Sequence, residues 1–104
     1  MSLVTLFFAG LFVANGIPHF VHGISGKKFP SPFAKPPGKG LSSSIVNVIW
    51  GLTNFLIAIL LFKTEESFSI GLNADFLAFA LGFVIASVGL AAHFSKADRE
   101  YRLE

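Results

Sequence analysis

The charged positions of this chain fall in clumps. Between them lie three stretches without Lys, Arg, Asp or Glu: residues 1–26, 41–62 and 76–95. Each is apolar nearly all round instead of on one face, so none offers the wet side that a helix of a soluble protein presents. About 20 helical residues at 1.5 Å each cross a hydrocarbon core of about 30 Å, with every backbone polar group bonded inside the segment. The pattern predicts spanning helices at about 3–23, 43–62 and 75–95. Together they form one all-α membrane domain, a three-helix bundle. The first stretch lacks the basic start and small-residue cleavage site of a secretory signal peptide, and Asn15, Pro18, His19 and His22 interrupt it. It therefore reads as a retained helix. Met1, Ser2, Leu3, Leu103 and Glu104 carry no weight in this reading.

Composition agrees with a bilayer as solvent. Hydrophobic residues make up 53% of the 104 and charged residues 13%, with a mean hydropathy of +0.69, against roughly 25% charged in soluble domains. The absence of cysteine excludes disulfides, thiol nucleophiles and Cys-based zinc or iron–sulfur sites. What the few charges add is direction. The connection 24–42 holds Lys27, Lys28, Lys35 and Lys39 with no acid, whereas 63–74 sets Lys63 against Glu65 and Glu66. In the tail, 96–104, Lys96, Arg99 and Arg102 face Asp98, Glu100 and Glu104. Short cytoplasmic loops hold the excess of Lys and Arg, which predicts the N-terminus outside, the C-terminus inside, a basic cytoplasmic loop, a short outer loop and a cytoplasmic tail. The four lysines of the first loop would meet anionic lipid headgroups at about 1 kcal/mol each. Its prolines predict extended or polyproline-like backbone, with Phe29 and Phe33 dipping into the interface. No basic stripe on a folded domain is left over for nucleic acid.

Few charges make the remaining polar residues legible, because each is costly inside a membrane. Asn15, His19 and His22 recur at i, i+4 and i+7 on the first helix, one face, and Pro18 removes the amide that would bond the Ala14 carbonyl. Asn47, Trp50 and Asn54 share a face of the second helix, and Gly82, Ala86, Gly89 and His93 share a face of the third. By helical rise the three histidines lie within about 6 Å of the cytoplasmic boundary, Asn15 and Trp50 about 10–12 Å in, and Asn54 near the middle. Inward-facing stripes would gather Asn15, His19, His22, Asn47, Trp50, Asn54 and His93 into one polar cluster in the inner half. Each member also has a plainer role. Asn and His glue helices together at about 0.6–2 kcal/mol per hydrogen bond, Trp50 suits an aromatic belt, and Gly82, Ala86 and Gly89 suit close helix contact.

The chemistry open to such a cluster is narrow. His19, His22 and His93 could ligate a metal or haem iron, but no carboxylate or thiolate joins them and the sole methionine is the first residue, so no metal site is expected. A quinone or lipid headgroup held by His and Asn against Trp50 is the other option. No catalytic set is expected, since Asp75 belongs to the opposite end, and no phosphate-binding glycine loop is present.

The run from Asn15 to Gly23, with Gly16, His19 and Phe20, followed by Phe29, Pro36-Pro37 and Trp50-Gly51, resembles DoxX-like small bacterial membrane proteins. The resemblance implies a multi-pass protein of the bacterial inner membrane, sometimes with redox or thiol-stress partners. Three spans with a proline in the first are also similar to half-transporters of the SemiSWEET type. The leading expectation is a small membrane protein that acts by assembly, as a homo-oligomer or an accessory subunit. A quinone-, lipid- or haem-binding protein is the alternative, and a transporter protomer the third.

Overall fold

The computed structural model describes residues 2–101. Helix α1 spans Ser2–Ile24, strand β1 Phe29–Pro30, strand β2 Leu41–Ser42, helix α2 Ser44–Phe62 and helix α3 Ala74–Tyr101. The helix ends follow from local chemistry. Gly26, at φ +76°, turns the chain out of α1: its N–H bonds the Gly23 carbonyl (3.0 Å) and that of Lys27 bonds His22 (2.9 Å), the Schellman arrangement. Ser43 Oγ caps α2 by accepting from the Val46 amide (3.1 Å), and Asn73 Oδ1 caps α3 by accepting from Phe76 (2.8 Å). All three helices are long and apolar enough to cross a membrane, which marks the chain as a membrane protein.

The helices do not close into a three-way bundle as expected. Helix α1 lies between α2 and α3, which make little contact with each other. The reason is written in glycine. A methyl group at Gly10 would strike the Phe79 carbonyl of α3, and one at Gly82 the Phe7 carbonyl, so α1 and α3 touch backbone to backbone. On α1's other side a methyl at Gly16 would come 2.9 Å from the Gly51 carbonyl, and one at Gly23 2.7 Å from the Ser44 carbonyl of α2. Six residues of helix turn through about 600°, so Gly10 and Gly16 lie about 120° apart and present separate faces to separate partners. Among the described residues the ring contact between α2 and α3 lies at the end of the short connection, where Phe62 meets Phe79 (centroids 5.3 Å apart) with Phe68 and Phe76 beside them.

At the opposite end, the loop end, residues 25–43 fill the space between α2 and α3. The expected polyproline-like run instead folds back on itself. Phe29 pairs with Ser42 and Pro30 with Leu41 in an antiparallel ladder, and the Ser31 and Ser42 hydroxyls bond each other at 2.6 Å. The Gly38 amide reaches the Ser31 carbonyl at 2.8 Å, with Gly38 at φ +74°. Strands β1 and β2 keep the expected extended backbone, and they pair because a loop lying among helices must satisfy its buried backbone groups.

Helix α3 runs on to Tyr101, six residues past the expected end at 95. Charge ends an apolar span but not a helix: 95–101 contains no Gly or Pro, and Arg99 bonds back to Ser95 Oγ at 3.1 Å. Arg102, Leu103 and Glu104 of the expected tail lie outside the described residues. The expected packing stripe also changes. The face of α3 towards α1 follows Gly82, Phe83, Ser87, Leu90 and Phe94, with Gly82 at its edge. Ala86 is half-buried, and Gly89 is exposed with nothing within 4 Å of a Cβ. Of the expected Gly82, Ala86 and Gly89, it is Gly82 that meets the backbone of α1. Gly10→Ala and Gly82→Ala are therefore expected to destabilise the fold by about 1–3 kcal/mol through overpacking, whereas Gly89→Ala should be neutral or stabilising by up to about 1 kcal/mol. Unfolding in detergent followed by circular dichroism checks the difference.

Candidate functional site

Asn47 is fully buried and its amide is the hub of the loop end. Its Nδ2 lies 2.9 Å from the Phe29 carbonyl, 3.0 Å from that of Ser43 and 3.3 Å from that of Ser42. Carbonyls only accept, so this atom is the amide nitrogen and Oδ1 faces His19 Nδ1 at 2.8 Å. An amide oxygen cannot donate. His19 Nδ1 therefore carries the ring proton, and in the neutral imidazole the lone pair sits on Nε2. The same logic orients the next pair. Asn54 Nδ2 donates to the Trp50 carbonyl (2.8 Å), so its Oδ1 accepts from Asn15 Nδ2 (2.9 Å) and Asn15 keeps its own Oδ1.

Asn15, His19, Trp50 and His93 line one cavity of about 160 Å³. Leu90 and Phe94 of α3 complete its helical wall, and Pro30, Ser31, Pro32 and Gly38 of the loop cover it. Three rings surround His19 edge-on, with centroids at 5.4 Å (Phe29), 5.9 Å (Phe94) and 6.4 Å (Trp50). Hydrogen bonding in this wall is incomplete. Trp50 Nε1 is buried without an acceptor, and no protein group among the described residues meets His19 Nε2 or Asn15 Oδ1. A belt tryptophan would turn its N–H towards headgroups and water. Here the indole stands instead between His19 and Phe33, whose ring lies 5.2 Å away at 87°.

The other expected members are placed differently. His93 lines the cavity but gives Nε2–H to the Gly38 carbonyl (2.7 Å), tying α3 to the loop. His22 lines a separate groove: its Nδ1–H bonds the Pro18 carbonyl (2.8 Å) and its ring stacks on Phe29. The structure thus joins His19 with His93 and leaves His22 apart. Among the described residues no three His, Asp or Glu groups converge as a metal site. Lys27, Lys28 and Lys35 are exposed as a headgroup role requires, but Lys39 pairs with Glu100 at 3.8 Å. Sequence reasoning missed Ser31, Ser42, Phe94 and Gly38 as parts of the site. Their roles depend on the fold of the loop, and only the Pro-Ser-Pro spacing around Ser31 hinted at an ordered turn there.

No family model, curated protein or solved structure matches the chain. The likeness to DoxX-like proteins accordingly stays one of a short motif.

Asn47→Leu should remove the amide's bonds to the Phe29 and Ser42 carbonyls and leave the His19 Nδ1–H unmet, costing about 2–4 kcal/mol, whereas Asn15→Leu should cost about 1–2 kcal/mol; the Ser43 carbonyl keeps the backbone amide of residue 47. With its anchor gone the loop should open. Limited trypsin digestion in detergent is expected to cut after Lys28 and Lys39 faster in Asn47→Leu than in the parent chain or in Asn15→Leu.

Proposed function

We propose that this membrane protein binds the head of a membrane quinone, in its reduced, hydroxyl-bearing form, in the cavity formed by Asn15, His19, Trp50 and His93. The observation that carries this reading is the set of unmatched polar atoms in an aromatic wall: one donor, Trp50 Nε1–H, and two acceptors, His19 Nε2 and Asn15 Oδ1. A quinol hydroxyl both accepts and donates, so it can take the indole hydrogen and give its own to an acceptor. An oxidised quinone carbonyl satisfies the indole alone. The volume supports a single ring, since a cavity of about 150 Å³ holds a benzene. Haem is not supported: it needs a space nearer the roughly 300–1,000 Å³ of larger ligands, and His19 and His22 offer their free nitrogens to different cavities.

Trp50 is the sole tryptophan and lines this cavity, so its fluorescence responds to a ligand bound there. Under anaerobic conditions, decylubiquinol titrated into the detergent-purified protein should change Trp50 fluorescence saturably. It should bind about tenfold more tightly than decylubiquinone, about what one hydrogen bond made by the reduced form alone is worth. His19→Phe should reduce that difference, and His19→Phe combined with Asn15→Leu should abolish it. A change that never saturates, or equal binding of the two redox forms, refutes the reading.

The lysine distribution supports an orientation with the N-terminus outside and the loop end in the cytoplasm, and the short motif shared with DoxX-like proteins supports a cell membrane of the bacterial inner-membrane type. The chain has no cysteine, so single replacements report cleanly. In intact cells a membrane-impermeant maleimide should label Glu66→Cys and spare Lys35→Cys; the reverse pattern inverts the topology. Assembly as a homo-oligomer or accessory subunit is a second reading, favoured by Gly89, whose exposed backbone leaves room for a neighbouring helix.

A further inference from the structure

Asn54 is fully buried on α2 and lies outside the wall of the cavity formed by Asn15, His19, Trp50 and His93. It nonetheless decides what that wall offers. Its Nδ2 is 2.8 Å from the Trp50 carbonyl, and its Oδ1 is 2.9 Å from Asn15 Nδ2. The Trp50 carbonyl belongs to the backbone of α2 and can only accept, so turning the Asn54 amide over would press oxygen against oxygen. One orientation remains. The same constraint then passes to Asn15, because turning its amide over would set two side-chain oxygens against each other. Its nitrogen stays on Asn54 and its oxygen stays towards the cavity. Inside a membrane span no water relieves the alternative arrangement.

Residue 50 therefore stands at both ends of the site. Its indole Nε1–H is the buried donor without a partner, and its carbonyl, through Asn54 and then Asn15, fixes an acceptor. The two acceptors of the wall differ in one respect. His19 Nε2 keeps its lone pair for as long as Nδ1–H is held by Asn47, whereas a side-chain amide carries a donor and an acceptor of nearly the same shape. Half a turn of Asn15 would exchange them. Only the bond to Asn54 stands against that turn among the described residues.

We propose that Asn54, without touching the ligand, is the positioning residue that makes this cavity select quinol over quinone; the ligand's identity rests on the quinol reading above. With Asn15 Oδ1 locked towards the cavity, a quinone carbonyl meets one donor, the indole, and lone pairs from both His19 and Asn15. A quinol hydroxyl takes the indole hydrogen and gives its own to either acceptor. Once the lock is removed, the Asn15 amide turns and the quinone carbonyl gains a second donor. Asn54 thus sets the preference by excluding the wrong redox form, not by strengthening the right one.

The test is the Trp50 fluorescence titration of the detergent-purified full chain, run with decylubiquinone and, anaerobically, with decylubiquinol. Asn54→Leu and Asn54→Ala both remove the acceptor while differing in size. Each should bind decylubiquinone about fivefold more tightly than the parent chain, shrinking the tenfold quinol preference to about twofold. A merely structural defect would weaken both redox forms together, and circular dichroism verifies the fold of each variant. Asn54→Asp keeps an oxygen for Asn15 Nδ2 whether or not the carboxyl carries a proton, and should retain the quinol preference. In an Asn15→Leu background, adding Asn54→Leu should produce no gain for the quinone, because the effect runs through Asn15. Unchanged or weaker quinone binding in both Asn54→Leu and Asn54→Ala, or a gain that persists in the Asn15→Leu background, overturns the assignment of Asn54 while a quinol-preferring parent leaves the quinol reading standing. Equal binding of the two forms by the parent chain overturns both.

Discussion

A side-chain amide buried in hydrocarbon must place its hydrogens on acceptors of the protein, because no water stands in for them. Asn47 meets that requirement by reaching out of α2 to three carbonyls at the two ends of the long loop. Much else at the loop end depends on this. With the amide nitrogen committed to the loop, the amide oxygen is left for His19, and that one orientation selects the histidine tautomer. The tautomer in turn leaves a lone pair, not a proton, on the free ring nitrogen. The anchoring of the loop and the chemical character of the cavity are thus consequences of one satisfied amide.

Packing provides the second constraint. Lipid tails are as apolar as leucine, so helices in a bilayer gain little by hiding hydrophobic surface from one another, and close backbone approach takes over. Helix α1 makes that approach twice, through Gly10 to α3 and through Gly16 and Gly23 to α2. Because the two approaches use different faces, α1 becomes the central helix and a gap opens between its neighbours. Phenylalanine rings bridge the gap at one end. At the other the loop enters it, turning a connection into a wall of the cavity.

The spans were legible in the sequence because absence of charge over 20 residues has few physical explanations. The ends of α1 and α2 fell within a residue of expectation for the same reason, helped by Ser43 as a cap. The end of α3 did not, since Lys96, Ala97, Arg99 and Glu100 are good helix formers and charge on three of them does not stop a helix. Helical periodicity placed Asn15 and His19 on one face and Asn47, Trp50 and Asn54 on another, and the structure brings those faces together. It could not separate His19 from His22. They are three residues apart on one stripe, yet the Phe29 ring stacks on one and stands edge-on to the other. A contact made by a loop folded against the helix leaves no trace in the helix's own period. Gly82 and Gly89 teach the same lesson: the repeat is shared, but only Gly82 meets a crossing helix.

The three histidines look alike in the sequence and are held in three unlike ways. His19 gives its proton to a side-chain amide from another helix, His22 to a carbonyl of its own helix four residues back, and His93 to a loop carbonyl 55 residues away in sequence. Each bond fixes a ring, and each leaves the other nitrogen facing different surroundings. His19 is enclosed by aromatic rings in the interior of the fold, and His22 lies beside charged groups in an open groove. The exposed ring of His93 does mechanical work, clamping α3 to the loop. A shared metal would need these free nitrogens to converge, which would mean breaking the bonds that hold the loop in place. The same fold that anchors the loop therefore gives the histidines separate surroundings, His19 and His22 beside different cavities and His93 in the clamp between α3 and the loop.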